Sequence, residues 1–332
     1  MKAIVWTKYG PPDILKLREV PKPTPKVHEV LIRIIAATVT AGDTEMRTLK
    51  FPLFLSLPMR IYIGLFKPAR IKILGMEFSG EIESVGKDVK LYKVGEQVFG
   101  TTGFGFGAYA EYICLPAESS DMAGVLAVKP ANISYAEAAA VPTGGLEALH
   151  FLKKADIRDG QKVLIYGSGG SIGTFAVQLA KHFGAEVTSV DSAPKLDMLR
   201  SIGADHVIDY TTSNFTDNGQ SYDVIFDVVG KSSFSGSIRS LTKNGRYLIA
   251  NPKLSYLLRA VWTSMTSRKK VIMGAASQKL EDLLFLRELI EAGVLKSVID
   301  RSYPLEQIAE AHRYVESGQK VGNVVISVGG NN

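Results

Sequence analysis

The sequence predicts an α/β chain of two architectures: a doubly wound parallel sheet in the middle, with β-rich structure before and after it. Three observations predict this. Between residues 163 and 273, six β-favouring runs alternate with helical segments, the order that a parallel sheet with crossover helices requires. Glycines and serines at 167–173 separate the first run from an apolar helix, and a turn that tight needs residues without Cβ. Residues 1–123 hold repeated short strands divided by turn chemistry, which argues for a rolled-up barrel.

In chain order, residues 1–6 read as a first strand, 30–39 as a long β-branched one, and 78–85, 97–101 and 108–114 as shorter ones. Tyr9-Gly10-Pro11-Pro12, Pro21 to Pro25, Val85 to Asp88 and Val94 to Glu96 supply turns. The period changes near 124. Residues 135–141 and 146–155 read as helices, and strands follow at 163–166, 186–190, 206–208, 224–228, 247–250 and 271–273. In the tail, Leu283, Leu286, Leu289 and Ile290 share one helical face, ahead of a strand at 298–303, a helix at 306–317 and a strand at 323–328. The expected division is 1–123, 124–274 and 275–332, the last returning to complete the first domain.

The strongest functional signal lies at 163–191. A strand leads into Gly167-Ser168-Gly169-Gly170-Ser171-Ile172-Gly173, a helix follows, and the next strand ends on Asp191, 18 residues after Gly173. That is the context of a dinucleotide-binding fingerprint. The glycine spacing is not a strict G-x-G-x-x-G, so Asp191 adds specificity. The N–H groups of the helix N-terminus are expected to face a pyrophosphate, and Asp191 the hydroxyls of an adenosine ribose. A turn that has lost its ligand is the alternative.

Length and composition exclude several classes. A chain of 332 residues has room for two cores, and 46% hydrophobic with 22% charged residues is ordinary for a globular protein. Thirty-nine basic against 33 acidic residues give a net charge of +6. It reads as dispersed, and with no basic recognition helix it gives no case for nucleic acid. The single cysteine, Cys114, rules out a disulfide framework and a cysteine-based zinc site. No spanning helix is expected, and the N-terminus reads as a strand and not a signal peptide. The expected setting is cytoplasmic.

The arrangement resembles the medium-chain dehydrogenase/reductase superfamily, and within it the zinc-independent quinone oxidoreductase (zeta-crystallin-like) branch. The resemblance rests on Met1-Lys2-Ala3-Ile4 with Tyr9 to Pro12, Val39 to Asp43 with Arg47, Gly75-Met76-Glu77-Phe78-Ser79-Gly80, Ala108 to Tyr112, Ala138 to Gly145, the glycine turn, and Leu199 to Asp209. It implies a GroES-like β-barrel catalytic domain interrupted by a Rossmann domain, a nicotinamide cofactor, and a homodimer. Zinc-containing relatives place cysteine near Thr40–Ala41, histidine at Met76 and cysteine near Thr143. None is present here, so no metal is expected, and alcohol dehydrogenation loses its Lewis acid.

What the resemblance implies is a reductase that passes hydride from NAD(P)H to a small lipophilic quinone or an α,β-unsaturated carbonyl. Such an acceptor needs a hydrogen-bond donor or proton relay more than a metal. The alternatives are alcohol dehydrogenase-type activity on a small alcohol or aldehyde, and a nicotinamide-binding protein without turnover. Thr40, Asp43 and Arg47 are candidates on the family's cleft-facing loop, although Asp43 and Arg47, four apart, also suit an ion pair that holds the loop. Thr143 and Glu147 belong to the helix that in the family runs beside the nicotinamide, where Glu147 could bind ribose, act as a general acid, or pair with Lys153 or Lys154. The cofactor set is Thr143, Gly167, Ser168, Gly169, Gly170, Ser171, Ile172, Gly173, Asp191, Ser192, Lys195, Val229, Asn251, Lys320 and Asn323. Asp191 favours NAD(H) over NADP(H), while Ser192 and Lys195 offer partners to a 2′-phosphate. The apolar stretches 51–66 and 254–270 read first as core or lid packing, with a dimer surface or membrane contact as the other readings. No membrane partner is expected.

Overall fold

Glu29–Thr38 organises the first unit of the computed structural model, which describes residues 1–49, 53–120 and 122–329. This strand pairs antiparallel with Glu77–Val85 along most of its length, with Tyr112–Pro116 at its first half and with Asn323–Ser327 at its second. Three partners force it to bend, and irregularities at Leu31/Ile32 and Ile34/Ala36 supply the bulges. The sheet runs Ile299–Pro304, Asn323–Ser327, Glu29–Thr38, Glu77–Val85, Gln97–Thr101, Leu126–Val128. It encloses a core that includes Ile4, Trp6, Ile32, Phe78, Val98 and Tyr109.

The second unit is a six-stranded sheet, parallel throughout: His206–Asp209, Glu186–Asp191, Lys162–Tyr166, Tyr222–Asp227, Leu241–Ile249, Lys270–Met273. Its order reverses between Lys162–Tyr166 and Tyr222–Asp227, so the switch point lies at the carboxyl ends of those two strands. The strands read as near-continuous apolar runs (Val163, Leu164 and Ile165 are fully buried) because helices cover both faces.

The compact units divide the chain differently from the expected boundaries. The first comprises 1–143, 278–291 and 297–332, the second 144–277 and 292–296. Residues 124–143 stay with the barrel because Leu126–Val128 pairs with Gln97–Thr101 and Ser79 Oγ donates to Tyr135 O at 2.6 Å. Residues 292–296 join the second unit, where Gln178 bonds both the N–H and the C=O of Lys296. The expected helix at 146 starts earlier, at Pro142, a residue suited to a first turn that needs no N–H.

The two apolar stretches are helices, Leu53–Ile63 and Ser255–Thr266; Phe51 and Pro52 lie outside the described residues. Each packs one side into a core, through Ile63, Met59 and Tyr62 in the first and Tyr256 in the second, and turns the other outward. Leu258, Trp262 and Met265 are 81%, 69% and 78% exposed, and Ile61 and Phe66 are 71% and 87% exposed.

Candidate functional site

The cofactor half is built on main chain. Lys162–Tyr166 delivers Gly167 at φ +82°, a left-handed conformation that glycine adopts without strain. The helix Ser171–His182 then starts directly against the turn. A Cβ at Gly173 would lie 2.5 Å from Gly167 O and from Ser168 carbon atoms, so this glycine sets the close approach. Gly170 differs. Its φ is −95°, and an added Cβ would meet nothing closer than Gly167 O at 3.8 Å. The fold therefore leaves Gly170 free, yet the position carries no side chain and no side-chain cap covers the helix start. The result is an uncapped N-terminus with room above it, the form of an anion cradle. A pyrophosphate fits there.

Asp191 is buried and committed on both oxygens. Oδ2 accepts the Gly169 N–H at 2.7 Å, Oδ1 accepts the Ser192 N–H at 2.9 Å, and Lys195 Nζ stands 3.3 Å from Oδ1. The carboxylate thus ties the second strand's end to the glycine turn and is matched by a buried cation. The Ser168 hydroxyl donates to Val190 O at 3.2 Å inside the unit. Ser171 and Ile172 are half-buried at the helix start. Val229 packs beside Gly167, and the Asn251 carbonyl closes on Gly230. Sequence reasoning missed Asp227, whose buried carboxylate accepts the N–H groups of Gly230 and Ser232 and the Ser232 hydroxyl, fixing the loop that carries Val229.

In the first unit, the expected reactive trio takes part in bonds that hold the structure. Thr40 caps the helix Ala41–Thr48: its hydroxyl accepts from the Asp43 N–H at 3.1 Å and donates to Asp43 Oδ2 at 2.7 Å, while Asp43 accepts the Thr40 N–H at 2.9 Å. This reciprocal capping engages the Thr40 hydroxyl in both directions. Asp43 and Arg47 do not pair with each other. Arg47, almost fully buried, donates to Gly10 O at 3.0 Å, lies 3.1 Å from His312 Nδ1, and bonds the Glu316 carboxylate. Asn323 donates through its side chain to Val298 O at 3.1 Å, and the Lys320 ammonium donates to Gly322 O at 2.7 Å.

Around this trio lie buried titratable groups. Glu77 accepts from the Thr38 hydroxyl and from the Thr143 N–H at 2.7 Å. Burial pushes its carboxyl up to about 7, and that of Asp43 up to about 6. His312 is held neutral, its pKa lowered to about 3 by burial and by the Arg47 charge. Asp43 Oδ1 and Thr143 Oγ1 are buried with no hydrogen-bond partner among the described residues, which a native fold rarely tolerates without a ligand or water. Glu147 is half-buried on the Thr143 helix and keeps an interaction of its own. Glu77 was legible only as the one acid in Gly75 to Gly80, a stretch that otherwise reads as a strand. No group of three or more His, Cys, Asp or Glu among the described residues is placed to hold a metal ion.

A barrel interrupted by a 3-2-1-4-5-6 parallel sheet with a glycine turn at its switch point defines a dinucleotide-binding oxidoreductase architecture. Residues 26–123 match the alcohol dehydrogenase GroES-like domain, and residues 202–326 match the zinc-binding dehydrogenase family. The chain is 33% identical to the 2-methylene-furan-3-one reductase of Solanum lycopersicum, over 98% of this chain and 79% of that protein. It is 30% identical to the NADPH-dependent alkenal/one oxidoreductase of Arabidopsis thaliana, with the same coverage. The solved structure of the quinone oxidoreductase from Coxiella burnetii superimposes with a TM-score of 0.87 over 99% of both chains, at 29% identity. The chain belongs to the medium-chain dehydrogenase/reductase superfamily.

Proposed function

We propose that this chain is a zinc-independent NAD(P)H-dependent reductase of a quinone or an α,β-unsaturated carbonyl. The observation that carries the reading is the cradle at Gly170, a glycine the fold does not need beside a helix start that nothing caps. The family relationship and the names of the relatives support the acceptor class. The side chains at the zinc-ligand positions of metal-dependent relatives support the metal-free reading: Thr40 is tied to Asp43, and Met76 and Thr143 offer only a thioether and a hydroxyl.

Bound reduced nicotinamide supplies the hydride, and the chain's own residues bind, orient and manage the proton. The Thr143 hydroxyl, which completes no hydrogen bond by geometry, faces the Glu77 carboxyl and can relay a proton from it. The Thr143 N–H is fixed by Glu77, whose raised pKa lets it hold a proton near neutral pH.

For the cofactor, Asp191 alone would oppose a 2′-phosphate by roughly 4 kcal/mol at contact distance and an effective dielectric near 20. Lys195, 3.3 Å from the carboxylate, offsets much of that penalty. The proposed preference is for NADH, with NADPH also used.

The test follows oxidation of NADH and of NADPH by purified, metal-analysed protein with a benzoquinone, an ortho-quinone and a simple enone. Turnover in zinc-free protein is the expected outcome. Turnover that tracks bound zinc and appears only with alcohols would overturn it, as would tight cofactor binding with no oxidation by any acceptor.

A further inference from the structure

We propose that the outward face of the Ser255–Thr266 helix is a docking surface for an anionic membrane, seated in the headgroup layer without crossing the bilayer. Leu254, Leu257, Leu258, Val261, Trp262 and Met265 recur at helical spacing, and each is 49% to 81% exposed. A stripe at this spacing ordinarily faces a core, whereas this one faces solvent over about three turns. Isolated exposed apolar residues need no explanation, but a contiguous stripe does.

Charge decides what covers it. Between Asp227 and Glu281 the sequence has no acidic residue and ten Lys or Arg. Lys253, Arg259, Arg268 and Lys270, all exposed, flank the stripe, and none is in an ion pair among the described residues. Arg239 and Arg259 edge an open groove of about 500 Å³ whose apolar walls include Ile238, Leu258 and Trp262. Apolar side chains ringed by cations suit a lipid interface, where chains are buried a few ångström deep and phosphates meet the basic rim.

The first unit repeats the pattern. From Glu45 to Glu77 there are six basic residues and no acid, and Leu57, Ile61, Leu65 and Phe66 are exposed. These two windows hold sixteen of the 39 basic residues, which leaves 23 against all 33 acidic ones elsewhere. The positive excess therefore lies in these two acid-free windows, within which Arg47, Arg246 and Lys279 are paired with Glu316, Asp156 and Glu281 outside them, and the proposal departs from the sequence expectation of no membrane partner. A second copy is the weaker occupant, because a two-fold contact would set each acid-free patch against itself.

The experiment mixes the whole protein with phosphatidylcholine vesicles, with and without phosphatidylglycerol, and measures co-sedimentation and tryptophan emission. Trp262 is 69% exposed and Trp6 1%, so a blue shift on binding reports Trp262. Binding at least tenfold stronger to the anionic vesicles is expected, weakening with salt. The double variant Leu258→Ser, Trp262→Ser should lose it, and Arg268→Gln should weaken it about fivefold. Both variants should keep wild-type turnover with a water-soluble acceptor, so a failed membrane test and a failed reductase test remain distinguishable. Equal binding to both vesicle types would overturn the proposal. So would no binding accompanied by a dimer that the double variant splits, which would assign the stripe to a second copy.

Discussion

The glycine turn at 167–173 and the helix start at 40–47 both concentrate polar and small residues, and the fold uses them in opposite ways. At the turn, the contacts that hold the structure come from Gly167, Ser168, Gly173 and Asp191, while Gly170 is left over. At the helix start, Thr40 and Arg47 are consumed by capping and by the bonds to Gly10, His312 and Glu316, and Asp43 is tied through Oδ2 while its Oδ1 has no partner among the described residues. A functional position shows itself where the fold has no use for the residue type found there. A polar residue with a complete set of partners is support.

The largest expected effect separates two glycines. Gly173→Val drives a Cβ into backbone at 2.5 Å and should cost more than about 3 kcal/mol of stability. At Gly170→Val the Cβ comes no closer than 3.8 Å to another atom, so the melting temperature should stay near wild type while cofactor affinity in a titration falls by at least about 100-fold. Retained affinity in Gly170→Val would place the pyrophosphate elsewhere. Arg47→Met tests the other region. It should cost about 3 kcal/mol by stranding a buried network, with kcat per folded molecule close to wild type; a selective loss of kcat would return Arg47 to the chemistry.

Next comes a pH effect. Burial raises Glu77 from an ordinary 4.5 to about 7, so across that window the unfolded chain has released a proton that the fold retains. Stability should fall by about 3 kcal/mol as pH rises from about 4.5 to about 7, and the comparison with Glu77→Gln isolates this from Asp43, which acts in the same direction, and His312, which opposes. Urea midpoints for the two proteins should converge at low pH and separate above it. The smallest effect is at Lys195→Met, expected to raise KM for NADPH about tenfold and leave that for NADH little changed. Equal changes for both cofactors would show that Lys195 only braces Asp191.

The dinucleotide fold was legible because alternating apolar runs and a glycine turn depend on local sequence. The phosphate cradle followed for the same reason. Side-chain roles in the first unit were not legible, since Arg47 finds His312 and Glu316 more than 260 residues away, and no spacing between Asp43 and Arg47 reveals that. Glu77 escaped notice because its chemistry comes from burial and from the partners Thr38 and Thr143, not from a motif of its own. The outward stripe at 254–265 was visible as a period, yet a period does not say which way it faces.

The pairing of Asn323–Ser327 with Glu29–Thr38 also fixes an order of assembly. During synthesis the second unit's six strands emerge contiguously, between residues 162 and 273, and have every partner before the tail appears. The barrel waits, with one flank of its central strand open, until residue 327 has emerged. Nascent chains stopped near residue 290 should resist protease across the parallel sheet and remain cleavable within 1–143. An unfinished barrel is thus this protein's most exposed moment, and chaperones would meet its first strands, not its dinucleotide sheet.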